Sequence, residues 1–395
     1  MALLGTAPHR RQAYLGTFAI DLSAGPYVSC SRIPVNARGA DGPVSYTVLG
    51  PGNVEASQYV APRVTKPAAA LLVASAAGAI AVRRVQIVPP PPKQQRLIAV
   101  ATYRDGIALH DARTFRLIGY VPIGGPPGDV TFDRQGTILS PDTDGDALAS
   151  VQRNPWALRM TRGVPFGNEV AMDDRAGVFV SDRDAGGFGA VTRVSPDGAV
   201  IRAKIGTVAE GLAIDGARGL VYVGDVNDGT VTVVDAADMR VLRTIASVER
   251  TFGVALDSGR QRLYVVSNTS PSMRARGGYA AMLDVRGTSA RIVARSARMT
   301  FPLGVAVDPR RARVFVTDEA ANAVYVLNAK TLSALRAPLR TCATPWRPRI
   351  ARGRLYVPCA GADRVDVFDL RTLRRVRGAP FATGGYPLGV ALWPA

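Results

Sequence analysis

"VYVGDVNDGTVTVVD", residues 221–235, reads as two β-strands hinged on Asn227-Asp228-Gly229. Val, Tyr and Thr suit a pleated, half-buried surface, and an Asn-Asp-Gly turn tolerates the positive φ that a tight hairpin requires. One hairpin decides little, so its recurrence matters more than its form. Related segments are "RLIAVATYRDGIALHD" from 96, "TILSPDTDGDALASV" from 137, "GVFVSDRDAGGFGAVTRV" from 177, "RLYVVSNTS" from 262, "RVFVTDEAANAVYVLN" from 313 and "RLYVPCAGADRVDVFD" from 354. Five of the hairpins follow a short strand ending in Asp: "DVTFD", "EVAMD", "GLAID", "GVALD" and "GVAVD". A degenerate "RPRIA" and a terminal "GVALW" complete that set.

Aligned on one position, the short strands carry Val130, Val170, Leu212, Val254, Val305, Pro348 and Val390, at spacings of 40, 42, 42, 51, 43 and 42. The long interval contains "SPSMRARGGYAA", an insertion that a loop accepts at low entropic cost. A period of about 40 to 45 residues with several strands per copy is the signature of β-propeller blades. Each copy reads as four strands: an inner "GLAID", then "LVYVGD", "TVTVVDA" and an outer "RVLRTIA". The first hairpin lacks an inner strand before it, and the last inner strand, "LGVALW", lacks a hairpin after it. Circular closure solves both at once. The predicted fold is all-β: a seven-bladed β-propeller of four-stranded blades, closed by the C-terminal strand joining the N-terminal blade, with no exposed sheet edge.

"LVYVGDVNDGTVTVVDAADMRVLRTI", "RVFVTDEAANAVYVLNAKTLSAL" and "RLYVPCAGADRVDVFDLRTLRRV" resemble the YVTN-type β-propeller repeat family. The resemblance covers residues from about 95 to 395. It implies blade hairpins without specifying a reaction, and it implies export, since members are mostly exported or surface proteins.

The predicted propeller spans 95–395. Before it, residues 68–82, "AAALLVASAAGAIAV", form an uncharged run preceded by Arg63 and Lys66 and ending in an A-x-A pattern. Those are the parts of a secretory signal peptide, in a run too short for a comfortable membrane span. Arg83 and Arg84 directly after it oppose cleavage, and an Ala-rich strand or helix is the other reading. "VPPPPK", residues 88–93, reads as an extended linker. The expected organisation is therefore a leader over 1–66, not made or not folded, then a signal-like segment with linker over 67–94. The expected location is exported, whether periplasmic, extracellular or membrane-anchored, with the cytoplasm not excluded.

The formal charge is +18, which raises nucleic acid or an anionic surface as a partner. Yet only Lys66, Lys93, Lys204 and Lys330 among the 49 basic residues are lysines, and the arginines are scattered among Ala, Gly and Pro. That pattern reads as genomic codon bias. Without interleaved aromatics to stack bases, nucleic acid is not expected. The Arg-dense stretch from Arg347 to Arg377 stays a candidate anionic-binding surface.

Propeller ligands usually sit where the loops lead into the inner strands. Those positions offer Asp129, Asn168 with Glu169, and Glu210, then Phe252, Leu303, Trp346 with Arg347, and Leu388. Where other copies carry Gly, three carry Asp129, Glu169 and Arg347. Asp129, Asn168, Glu169 and Glu210 could bind a divalent cation such as calcium through oxygen, an arrangement similar in kind to the carboxylate-plus-Asn site of gluconolactonase propellers. An ion pair of Arg347 with one or two carboxylates is the structural alternative, and ligand binding without metal is a third.

"DTDGD", residues 142–146, aligns with the ordinary turns of other blades and lacks the ligand series of a calcium loop. The inner-strand aspartates Asp133, Asp173, Asp215, Asp257 and Asp308 read as caps of the following turns. With only His9 and His110, sites built on several histidines and paired-histidine acid–base catalysis are excluded. Cys342 and Cys359 come to the same end of one blade, a candidate disulfide in an oxidising compartment. The expected function is a non-catalytic, monomeric binding platform for a protein, glycan or small ligand at the channel mouth. The alternative is a metal-dependent hydrolase or lactonase on the acidic mouth residues.

Overall fold

The computed structural model describes residues 18–22, 25–40, 42–183, 186–269, 277–287 and 290–394. The chain divides into two compact units, Met1–Pro89 and Pro90–Ala395. Part of the insertion after Ser267 lies outside the described residues, as do His9 and the centre of the "DRDAGG" turn.

The first unit differs from the expected leader. Ala68–Ala76 pairs antiparallel with Ala79–Val88, and Ser45–Leu49 joins the other edge of Ala68–Ala76. Arg32–Pro34, Gln58–Val60 and Asn53–Glu55 form a small sheet beside them in sequence. The apolar run expected as a signal-like segment is thus a paired hairpin in the structure. The reason is its period of two: Ala70, Leu72, Ala74 and Ala76 are buried while Leu71 faces solvent. Uncharged residues throughout had masked that alternation.

The second unit is built from consecutive antiparallel strands. Among the described residues six sheets of four strands follow the order of the chain. In the sheet of the opening hairpin, Ala209–Asp215, Leu220–Asp225, Thr230–Asp235 and Val241–Ala246 are neighbours in that order, with Leu220 opposite Asp235 and Asp225 opposite Thr230. Gly229 closes the turn at φ +64. Leu97–Thr102 pairs on one side with Gly106–Asp111 and on the other with the C-terminal strand Pro387–Trp393.

Neighbouring sheets pack face to face on alternating side chains. Tyr222, Val231, Val233 and Ile245 of one sheet meet Val254, Leu263, Val265, Ala281 and Leu283 of the next. Burying such side chains contributes about 1.5–3 kcal/mol each, so the inter-sheet layers carry most of the stability. Buried aspartates tie the loops to the hairpins. Asp225 accepts backbone N–H bonds from Thr207, Val208 and Asp228 at 2.7, 2.9 and 2.7 Å, and Asp318 does the same for Thr300, Phe301 and Ala321. The inner-strand aspartates act at the other end. Asp133 accepts from Thr137 N, Asp173 from Ala176 N and Asp257 from Arg260 N, at 2.7, 2.8 and 3.1 Å. Asp215 instead pairs with the Arg218 guanidinium at 2.8 Å.

No described helix is long and apolar enough to cross a membrane.

Candidate functional site

Each inner strand starts at the same end of its sheet, so the residues before it converge there. Glu169 and Glu210 lie on Gly167–Asp173 and Ala209–Asp215, Asp129 just ahead of Thr131–Phe132, and Arg347 just ahead of Arg349–Ala351. Below them the inner strands line a cavity of ≈ 400 Å³ whose charged groups are Glu169, Arg347 and Arg349.

Arg347 organises this mouth. Its Nη2 lies 3.2 Å from Glu210 Oε2, its Nε 3.7 Å from Glu169 Oε2, and its Nη1 donates to Gly128 O at 3.4 Å. The guanidinium also sits 5.9 Å over the Phe252 ring, where a cation is attracted to the π face. Glu210 is held twice more: Arg183 Nε lies 2.6 Å from its Oε1, and the Asn168 amide donates to its Oε2. Asp129 Oδ2 accepts from Val170 N at 3.3 Å and faces Arg349 at 3.6 Å, while Oδ1 is buried without a partner. Gly389 must lack a side chain, because a Cβ there would run into Asp129 Oδ1.

Glu169 has the least settled charge. Its Oε2 accepts from Leu212 N at 3.2 Å. Burial pushes its carboxyl up to about 7, and the charges of Asp129 and Glu210 add to that push while Arg347 and Arg349 oppose it.

The other half of the mouth is apolar. Val226, Phe252, Leu303, Trp346 and Leu388 form one cluster, with Tyr386 packed on it. Trp346 meets Phe252 edge-on at 6.3 Å and Tyr386 at 6.4 Å, and its Nε1 is buried without a partner.

The residues singled out from sequence thus share one mouth, but not as a set of converging ligands. Among the described residues, the only group of three Asp, Glu, His or Cys side chains with ligand atoms within 4.8 Å of one another is Cys342, Cys359 and Asp366. At the mouth, Arg347 stands between two of the carboxylates and Asn168 turns its amide N–H toward Glu210. In this arrangement Glu169 and Glu210 face guanidinium and amide donors, whereas a divalent cation takes oxygens directed at one point.

Cys342 and Cys359 are joined by a disulfide, with Cα atoms 5.7 Å apart. His110 lies away from the mouth, its Nδ1 3.1 Å from Phe115 O, and burial pushes its imidazole down to about 4.

Two arginines of the mouth escaped the sequence reading. Arg183 follows Asp182 where another copy carries Val226, and Arg349 stands where other inner strands carry Ala171, Ala213, Ala255 and Ala306. Both departures were visible in the alignment.

No family model matches the chain. The YncE proteins of Salmonella typhi and Salmonella typhimurium, both uncharacterised, are each 28% identical over 191 residues, 46% of this chain and 50% of their own. The chain therefore spans about half the length of the curated relatives it matches. Among solved structures, a Bacteroides fragilis protein provisionally named a 6-phosphogluconolactonase is similar at TM-score 0.61 and 12% identity, covering 77% of this chain and 99% of that one. The virginiamycin B lyase of Staphylococcus aureus is similar at TM-score 0.52 and 10% identity, covering 67% and 87%. At such identities the likeness carries the fold alone. That fold is the β-propeller.

Proposed function

We propose that Pro90–Ala395 is a seven-bladed propeller, closed by the pairing of Pro387–Trp393 with Leu97–Thr102, whose mouth is a non-catalytic platform for a protein, glycan or small ligand. The observation that carries this reading is the engagement of Glu210 by Arg347, Arg183 and Asn168. A carboxylate held that way is poorly placed to bind a metal or to take a proton from water. A charged wall facing the Phe252, Trp346 and Tyr386 rings suits a ligand with one apolar face and one polar edge. The unpartnered Trp346 Nε1 offers it a donor.

The second reading is a metal-dependent hydrolase or lactonase on Asp129, Asn168, Glu169 and Glu210, and Glu169 alone favours it. A carboxyl titrating near neutrality is suited to general-base work. Calorimetric titration of calcium, zinc and manganese, run beside a lactone and ester screen, separates the two. We expect no saturable metal binding and no turnover. Binding that disappears in Glu169→Gln, together with hydrolysis, would overturn the platform.

Export is supported by the disulfide, which persists in oxidising compartments. N-terminal sequencing of the mature protein tests it, and cleavage after Ala81 would restore the signal-peptide reading.

A further inference from the structure

At the opposite end of the sheets from the mouth, a second cavity of ≈ 660 Å³ opens between residues that are far apart in sequence. Arg96 precedes Leu97–Thr102, Arg113 lies in the turn after Gly106–Asp111, and Arg352 and Arg354 lie in and after the turn that follows Arg349–Ala351. Arg354 stands 5.6 Å over the Phe115 ring, and Arg352 donates to Pro394 O, so the first and last sheets of the unit meet at this pocket.

Its charge is only partly compensated, with four guanidinium groups to one carboxylate in the lining. Among the described residues none of these four arginines makes an ion pair, whereas Arg364 and Arg375 nearby in sequence share Asp366. Asp111 is the one carboxylate in the lining; it keeps its negative charge, but its oxygens accept from neutral donors and not from an arginine side chain. Oδ1 accepts from Arg113 N, Thr114 N and Thr114 Oγ1, and Oδ2 from Gln95 Nε2. Partial desolvation of the largely exposed Arg352 lowers the pKa of its guanidinium, and the charge of Arg96 beside it adds to the effect. The excess positive charge around one carboxylate is an electrostatic cost that solvent screens in part, and an anion in the pocket lowers it further.

We propose that this pocket binds a small polyanion carrying two or more negative charges on tetrahedral phosphate or sulfate groups, through Arg96, Arg113, Arg352 and Arg354. The planar guanidinium fork meets such an anion with two parallel N–H bonds, and the volume lies in the range of small-molecule sites. The site is separate from the mouth and stands or falls independently of the reading given to Glu210 and Arg347. Codon bias explains why there are many arginines. It does not explain why four arginines without an ion pair among the described residues, from opposite ends of the unit, surround a single cavity.

The test is calorimetric titration of the full chain at physiological ionic strength with pyrophosphate and, separately, with a disulfated disaccharide. The variants are the double substitution Arg96→Gln with Arg352→Gln, and Arg371→Gln as an exposed control outside the pocket. One-site binding of either probe is expected, weakened roughly tenfold or more in the double variant, as loss of charge-assisted hydrogen bonds implies, and unchanged in the control. The tighter probe identifies the anion class. Absence of saturable binding of both probes, or equal weakening in the control, overturns the site. Arg96 and Arg352 are both exposed, so the fold should tolerate the change. Should the double variant not fold, Arg96→Gln alone carries the same comparison.

Discussion

Arg347 and Glu210, 137 positions apart in sequence, meet at 3.2 Å in the mouth of the propeller, both largely shielded from water. Removing one partner leaves a buried charge uncompensated. Arg347→Met is expected to cost about 2–4 kcal/mol, toward the lower side of the range for breaking a buried pair because Arg183 still holds Glu210. Urea denaturation measures the cost, and no change in midpoint would mean that the pair contributes nothing.

Glu169 gives stability a distinctive pH dependence. Its carboxyl is pushed up to about 7 by burial, so between about 4.5 and 7 the native state holds a proton that the unfolded chain releases. Stability contributed by this group is greatest below that window and falls as pH rises through it. Glu169→Gln should flatten the slope. Melting temperatures of both proteins across this range provide the comparison, and parallel curves would exclude the shift.

His110 acts in the opposite sense. Its imidazole is pushed down to about 4 by burial, so from about 4 to 6.5 the unfolded chain takes up a proton that the native state refuses. Stability from this group is lost as pH falls below about 6.5. Nuclear magnetic resonance titration of the imidazole should show an uncharged ring down to pH 5, and a midpoint near 6.5 would contradict the burial.

Gly389 and Asp129 leave no room for a methyl group between them. Gly389→Ala is expected to destabilise the unit by about 1–3 kcal/mol, the usual range for overpacking. A smaller effect, with Asp129 displaced in a crystal structure of the variant, would mean that the mouth yields.

Cys342 and Cys359 close a loop with a sequence separation of 17. A loop of that size implies a contribution of about 3 kcal/mol. Cys342→Ala with Cys359→Ala should lower the denaturation midpoint accordingly, and a reducing agent should lower the wild type alone.

How much was legible beforehand differs between the two units. The period of the repeat exposed the hairpins of Pro90–Ala395 because Asp-Gly turns and Val-Tyr strands recur at nearly constant spacing. Residues 68–82 concealed theirs, since an uncharged run made almost wholly of Ala, Leu, Val and Ile has no charged face to mark its alternation. At the mouth, alignment picked out Asp129, Asn168, Glu169, Glu210 and Arg347 as departures from the repeat. Arg183 and Arg349 were departures of the same kind, visible in the alignment but outside the strand-entry positions compared, one in a turn after the second strand and the other one residue past Pro348 in a degenerate inner strand.

The sequence by itself determined that this chain is a series of β-hairpins and which residues gather at one end of them. The reason is local: strand propensity, turn chemistry and a repeat period are written in consecutive residues. Only the tertiary structure decided what those residues do to one another. Whether a carboxylate faces a metal, a proton or a guanidinium depends on side-chain directions and on burial a few ångströms away, and Arg347 reaches Glu210 across 137 positions. The same holds for the arginine pocket, whose walls come from opposite ends of the unit and touch only because the strands fold back upon each other.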